Sequence, residues 1–539
     1  MRHTSILGGA GLGVLTALPV LAILYLGQQW AGLPYVPFLL FEWLTRVLPG
    51  RAITAGIEAM VSVISGLGIG PTSAVAKAAE MSLAVASMLI GAVVLGIALA
   101  LVGRRTGRLA IAGAVGGGLL WGITLLAMTR VGPPSAGFVR SALWLIVVLV
   151  GWGAILGYSI ARTAGRGEGV PATARRHFLA GLATLAVAAF AAAVGLGRSL
   201  ARRGAKTVGA EGAGVGGTGA TDPLRLETRG PAASPPREAL QARLEPVRGT
   251  RPELTETGRF YRIDINLTPP RIDEGAWRLR VDGLVGHPQS FTLEELRALP
   301  AVSQVVTLEC ISNRLGGDLI STAVFTGVRL TDLLDRVGRK PEAKTVFLES
   351  ADQYFETVEP SDVEDPRTLL VWAMNGEPLP AEHGFPLRIY IPNRYGMKQP
   401  KWITHLEATA QFKPGYWVVR GWSKEAVVQT TSVIDTVGMS MMLGQATVLP
   451  IGGIAYGGAR GISKVEVQVD DGPWAAAQLR TPPLSPLSWV QWLYDWPHQE
   501  GRHTFRVRAY DGAGVLQPTE MRSPHPGGAT GVHELTVNV

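Results

Sequence analysis

Apolar positions follow three different rhythms along this chain. In the first two hundred or so residues they are nearly continuous. Five runs, roughly 5–27, 81–102, 109–129, 141–160 and 178–197, are long and apolar enough to span a bilayer, because a helix of about 20 apolar residues crosses the hydrocarbon core. Met81 to Val102 contains no charge, and the glycines from Gly113 to Gly118 suit close helix packing in lipid. Residues 33–70 are ambiguous. Leu33 to Leu48 holds Glu42, Arg46 and two internal prolines, and Ile53 to Gly70 holds Glu58. Either both segments span, giving seven helices, or both lie in the interface or re-enter.

The second rhythm is none at all. Residues 198–255 are rich in Gly, Ala, Pro and Arg without periodicity, the composition of a flexible linker. From residue 256 the texture becomes that of a globular domain. Trp277 to Val285 alternates like a strand. Phe291 to Leu299 reads as a short helix, with Thr292 as N-cap and Glu295 at N3. Leu330 to Val337 reads as a second amphipathic helix. From residue 425 to 539 the pattern is all-β: Ile462 to Trp474 runs into an Asp-Gly turn, Trp489 to Trp496 alternates aromatic residues, and His503 to Gly514 ends in another turn. An immunoglobulin-like sandwich fits this spacing, with the aromatic stripe in its core. No internal repeat is evident.

Charge sharpens the division. Residues 1–206 carry 17 of the 50 Lys/Arg and 4 of the 42 Asp/Glu, leaving 33 basic and 38 acidic residues for the rest. The formal charge of +8 therefore belongs to the apolar region alone. That distribution excludes nucleic acid as the partner and points to lipid. Arg104, Arg105 and Arg108 crowd one short loop, and Arg162, Arg166, Arg175 and Arg176 another. Positive loops stay cytoplasmic, so the N-terminus lies inside and residues after 197 outside the cell or inner membrane; Arg198, Arg202 and Arg203 run against this scheme. Thr173 to Ala180, T-A-R-R-H-F-L-A, resembles a twin-arginine export signal, which serves proteins that cross already folded. The plainer reading is two arginines flanking a helix.

The candidate chemistry centres on Cys310, the one cysteine of 539 residues. A lone thiol is usually a small buried hydrophobe. This one ends a strand-like stretch, Val305 to Leu308, and opens into a loop with Asn313, Arg314, Gly316 and Gly317. Strand ends that open into polar loops are where sites are built, and a soft thiolate there can ligate a transition metal.

Four segments carry a resemblance. They are V-T-L-E-C-I-S-N-R, then L-I-S-T-A-V-F-T-G-V-R-L-T-D-L-L, then M-N-G-E-P-L-P-A-E-H-G-F-P-L-R-I-Y-I-P, then K-Q-P-K-W-I, in this order. Together they resemble the sulfite oxidase family of molybdenum enzymes over roughly residues 255–539. Joined to the hydropathy and composition of the first part, the resemblance gives a multidomain protein: a transmembrane helical domain (1–197), the linker (198–255), an α+β molybdopterin-binding catalytic domain (256–424) and the sandwich (425–539). It implies that Cys310 ligates molybdenum, with two sulfurs from a pyranopterin dithiolene. His383, Arg388, Lys398 and Lys401 match positions that hold the pterin and its phosphate, with Asn313, Asn393 and Arg394 as weaker candidates. Arg262 matches an arginine beside the metal, and Arg314 is expected to line the same pocket. Without Cys310 the basic loop would read as solvated surface, and Arg262 as a surface strand residue.

The implied activity is oxygen-atom transfer on a small substrate at an extracytoplasmic, membrane-anchored centre. Typical members show C-A-G-N-R-R, whereas Leu315 stands here in place of the second arginine. Sulfite asks for dense positive charge, so sulfoxide reduction stands beside sulfite oxidation. The substrate-pocket tyrosine has no firm match; Tyr395 is the nearest guess. The family's C-terminal domain mediates dimers, which leaves a homodimer open. Of 9 histidines only His3 and His177 precede residue 200, too few to ligate a membrane haem. No haem is expected in this chain, and a cytochrome or quinone-linked subunit is the expected redox partner. The competing reading is a non-catalytic tethered protein that keeps the fold; it would be expected to have lost one of Cys310, Arg262, His383 or Arg388. A transporter is disfavoured because the spans carry almost no ionisable residues.

Overall fold

The computed structural model describes residues 6–67, 70–102, 108–132, 136–163 and 244–539, with Ala180, Gly181, Thr184 and Ala188. The chain divides into two compact units, Met1–Leu48 with Lys77–Gly219 and Pro49–Ala76 with Ala220–Val539. The apolar run 178–197 and the T-A-R-R-H-F-L-A motif fall almost wholly outside the described residues, as does the linker up to residue 243.

Among the described residues, six helices have bounds before residue 164: α1 (Ile6–Ala31), α2 (Val36–Val47), α3 (Gly50–Leu67), α4 (Thr72–Val102), α5 (Leu109–Val131) and α6 (Phe138–Thr163). Among the described residues α1, α4, α5 and α6 are long and apolar enough to cross a membrane, in accord with the first four expected runs. The ambiguous segment forms α2 and α3, with a break between them at residues 48–49. Pro49 lies in that break, where it disfavours helix in the residue before it. Helices α5 and α6 pack through glycine. A methyl group on Gly113, Gly117, Gly153 or Gly157 would collide with the backbone of the opposite helix. In lipid no hydrophobic force presses helices together, so close backbone approach supplies the dispersion contacts instead. Trp152 Nε1 donates to Thr16 Oγ1 at 3.1 Å and ties α6 to α1.

The second unit is mostly β. Its first ten strands are β1 (Leu279–Gly283), β2 (Gln289–Phe291), β3 (Ala301–Glu309), β4 (Ile320–Arg329), β5 (Thr345–Ser350), β6 (Phe355–Val358), β7 (Leu369–Met374), β8 (Glu377–Pro378), β9 (Arg388–Tyr390) and β10 (Ile403–Thr409). They form two sheets, ordered β2-β1-β10-β5-β6 and β3-β4-β7-β8 with β9 on β7. Only β1 and β10 run parallel. The core between the sheets includes Leu279, Val281, Phe291, Leu333, Leu348, Leu370 and Ile389, all at most 1 % exposed. The expected helices are present but short, Leu293–Arg297 and Leu330–Arg336. Thr292 accepts from the Glu295 N–H, and Glu295 reaches back to the Thr292 N–H, which closes the expected capping box.

The last nine strands are β11 (Thr431–Val437), β12 (Met441–Leu443), β13 (Ala446–Tyr456), β14 (Ile462–Val469), β15 (Ala475–Ala476), β16 (Gln478–Leu479), β17 (Val490–Pro497), β18 (Arg502–Asp511) and β19 (His533–Asn538). Two antiparallel sheets, β11-β13-β17-β16 with β12 on β13, and β15-β14-β18-β19, enclose Ile451, Val465, Val467, Trp492, Phe505 and Val507. The aromatic stripe serves the core as expected, with Trp489, Trp492 and Trp496 buried. Residues 244–255, read above as linker, lie along this unit. Thr255 N–H donates to Thr322 O at 2.8 Å, and Arg251 pairs with Asp435 at 3.0 Å.

Candidate functional site

Strand β3 ends at Glu309, and the next residue is Cys310. The loop from Cys310 to Leu319 folds back onto β4. Cys310 N–H donates to Leu319 O at 2.9 Å, and Asn313 N–H to Cys310 O at 2.9 Å. Asn313 holds this loop from inside, giving its Nδ2 to Glu309 at 2.9 Å and taking the Leu319 N–H at 3.0 Å. The C-terminal sandwich grips the strand just upstream. Tyr456 donates its hydroxyl to Thr307 O at 2.9 Å, and Trp489 N–H donates to Thr307 Oγ1 at 2.9 Å. Cys310 is 8 % exposed and packs with Phe260, Tyr261, Phe325 and Tyr390. Its Sγ lies 3.0 Å from Ser312 Oγ. Burial pushes the thiol above its ordinary range, while Ser312 pulls the other way.

One group of the expected residues converges beside this thiol. Asp264, fully buried, binds both Arg262 and Lys401. Lys401 also donates to Glu382 O at 3.0 Å. Arg388, from β9, donates to His383 O at 3.1 Å and sits 5.2 Å from the Phe325 ring centre. Tyr261 lies close enough to sense both Cys310 and Arg388, and burial drives its hydroxyl far above the ordinary range. His383 is held down to about 3 by burial, reinforced by Arg388 and Lys401, and is neutral at pH 7. Burial brings Arg388 to about 10, which leaves it charged. Burial also draws Lys401 down, opposed by Asp264. Gly384, at φ +114°, makes the convergence possible: a Cβ there would press on Arg388 and Lys401 at 3.0 and 3.1 Å.

Arg262, Lys401 and Arg388 surround the one carboxylate of Asp264, so the cluster carries surplus positive charge. Among the described residues Arg388 Nε and Arg262 Nη2 are buried without a hydrogen-bond partner. A buried, unsatisfied N–H costs about 1–3 kcal/mol or more when charged. Such donors suit the oxygens of a phosphate ester. The donor set therefore fits an anionic pterin group next to a thiol. No group of three or more His, Cys, Asp or Glu among the described residues is arranged to hold a metal ion.

The other expected residues are engaged with partners outside this cluster. Lys398 is fully buried in an ion pair with Glu356 at 2.6 Å. Arg394 grips both oxygens of Asp362 at 2.9–3.1 Å. Asn393 accepts from Arg460 at 2.7 Å. Tyr395 is buried, lies close enough to sense Glu309 and Cys310, and accepts the Gln429 N–H on its hydroxyl at 3.1 Å. Arg314 lines a different, shallow pocket with Arg251, Glu309 and Asn313; Cys310 is not part of its wall. Asp264, Glu356 and Asp362 were not anticipated. Asp264 was legible, two residues after Arg262 in R-F-Y-R-I-D. Glu356 and Asp362 carry no local signal, because their partners lie 42 and 32 residues away.

Residues 266–417 match the family model for the oxidoreductase molybdopterin binding domain. The chain is 34% identical over 173 residues to the uncharacterized oxidoreductase YuiH of Bacillus subtilis, covering 32% of this chain and 84% of that protein. It is 36% identical over 152 residues to the putative protein-methionine-sulfoxide reductase subunit YedZ1 of Azospira oryzae, covering 28% of this chain and 56% of that protein. To mitochondrial sulfite oxidase of Homo sapiens it is 27% identical over 305 residues, covering 47% and 55%. The chain thus spans little more than half the length of two of these relatives. With its order of motifs and these matches, the chain belongs to the sulfite oxidase family of molybdopterin-dependent oxidoreductases.

Proposed function

We propose that this enzyme is a membrane-anchored, extracytoplasmic oxidoreductase that transfers an oxygen atom to or from a small substrate at a Cys310-ligated molybdenum. The observation that carries the reading is the juxtaposition of a buried thiol with a cationic cluster whose Arg388 Nε and Arg262 Nη2 lack partners. When bound, the molybdenum–pyranopterin group supplies the two-electron redox change and the exchangeable oxygen. This chain's own residues do the rest. Cys310 gives up its proton to become a ligand, and Ser312 Oγ, 3.0 Å away, is placed to donate to the thiolate. Arg388, Lys401 and neutral His383 hold the pterin and its phosphate. Arg262, kept in place by Asp264, would offer its charge to an anionic substrate or to the metal's oxygen. Asn313, Lys398 and Arg394 hold the loops that carry these groups.

On this reading the substrate is a sulfite-like anion or a sulfoxide. One similar protein is named a putative protein-methionine-sulfoxide reductase subunit, which weighs toward the sulfoxide; Leu315 lines the pocket beside Arg314 and does not bear on the choice. Electrons pass to or from a separate cytochrome or quinone-linked partner. We read the C-terminal sandwich as immunoglobulin-like, and the run at 178–197 as a fifth span led by the twin-arginine motif. The test is to purify the full chain from cells that make pyranopterin. Molybdenum and pterin content are measured first. Sulfite, sulfoxides and N-oxides are then surveyed with artificial electron donors and acceptors. Near-stoichiometric molybdenum with turnover of one class supports the assignment. A metal-free, inactive protein favours the non-catalytic alternative.

A further inference from the structure

One feature of the second unit serves neither its core nor the cluster at Cys310. Between Val437 and Val448 the chain reads G-M-S-M-M-L-G-Q-A-T, with no charged residue. Strand β12 pairs back on the start of β13, Met441 opposite Val448 and Leu443 opposite Ala446, around Gly444 at φ +63°. The neighbouring strand β17 reaches only Pro497, opposite Val448. Met439 is 88% exposed, Met441 50%, Met442 62% and Leu443 52%.

Successive strand residues point to opposite faces. Met441 and Leu443 therefore share one face, Met442 takes the other, and both are bare. An apolar strand that docks on a flat partner buries one face and keeps the other polar. A tip that is apolar on both faces suits a medium that surrounds it. Exposed apolar groups gathered in one place mark an interaction site rather than ordinary surface.

The chain itself indicates which medium. Four long apolar helices tie it to a bilayer. Residues 244–250, the first described residues after position 188, lie at the foot of the same hairpin. Thr436 donates its hydroxyl to Arg248 O at 3.2 Å. Val247 packs beside Gly438, where an added Cβ would stand 3.1 Å from it. Exposed Arg248 adds a cation beneath the apolar tip, the arrangement of segments that lie in the membrane interface. His498, whose N–H donates to Thr447 O at 3.0 Å, and Glu500 are the titratable groups in the adjoining turn.

We propose that the Met439–Leu443 hairpin inserts into the surface of the bilayer to which the chain is anchored, as a second, peripheral contact that fixes the orientation of the catalytic unit. The proposal rests on the membrane anchoring described above. The test uses the full chain carrying Leu443→Cys, labelled with an environment-sensitive fluorophore and reconstituted into phosphatidylcholine vesicles with and without nitroxide-labelled acyl chains. Buried Cys310 stays out of reach of a bulky label, and an unsubstituted sample shows this directly. Met521→Cys, at a residue 65% exposed outside the hairpin, is the reference. The expected result is a blue-shifted emission at position 443, quenched by the nitroxide lipid, and water-like emission without quenching at position 521. Water-like, unquenched emission at 443 in protein that floats with the vesicles overturns the proposal and leaves the anchoring intact. Blue-shifted emission that the lipid does not quench also overturns it, and assigns the hairpin to a protein partner or a second copy. Failure of the unlabelled chain to float with vesicles overturns the anchoring, and the hairpin contact with it.

Discussion

His383 is the residue whose protonation says most about the site. Its pKa falls from the ordinary 6.5 to about 3, first through burial and then through Arg388 and Lys401. The unfolded chain therefore takes up a proton near pH 6.5 that the folded protein refuses until near pH 3. Stability from this group is complete above pH 6.5 and is lost as pH falls from there toward 3, at up to about 1.4 kcal/mol per pH unit. Unfolding of the metal-free protein at pH 7.5 and pH 5 should show that loss, and His383→Gln should shrink it. A bound phosphate would favour the charged ring, so loaded protein should also show a shallower slope. Equal slopes in wild type and variant would remove His383 from the cluster. Glu356 offers a second measurement at this scale. Its pair with Lys398 is wholly buried, so Glu356→Gln leaves an unpaired cation and should cost about 3–5 kcal/mol, read as a drop in the midpoint of chemical unfolding.

Individual elements were legible in proportion to how local their causes are. The first four apolar runs and the Thr292–Glu295 capping box follow from residues within a few positions of one another, and they form where the pattern puts them. The glycine pattern also predicted close packing, which α5 and α6 show. Gly153→Leu should separate these two helices and, by overpacking, destabilise the apolar unit by about 1–3 kcal/mol. Heating the detergent-solubilised full chain and following α-helical signal would show a lower first transition, while the β-rich unit unfolds as before. The break between α2 and α3 was left open because neither segment is apolar enough to settle it. Residues 244–255 have linker-like composition, yet hydrogen bonds to Thr322 and Asp435, both distant in sequence, fix them in place. The site divides in the same way. Cys310, His383 and Arg388 sit in motifs, while the carboxylates that hold Lys398 and Arg394 become visible only once the sheets bring them together.

At the scale of the whole molecule, a charge-poor, glycine-packed helical region is joined to a β-rich enzyme of the sulfite oxidase family. The candidate site draws on the end of β3, the start of β9 and the segments around His383 and Lys401, with Asp264 bridging to a segment before the first strand. Everything proposed about turnover depends on sulfur from Cys310 reaching the metal. X-ray absorption at the molybdenum edge, on full-length wild type and Cys310→Ser from the same cells, counts the sulfurs directly. The account predicts that the variant's metal site retains its dithiolene sulfurs and has one sulfur fewer than wild type, with loss of activity. An unchanged sulfur count in Cys310→Ser, or a wild-type centre lacking a thiolate, would contradict it.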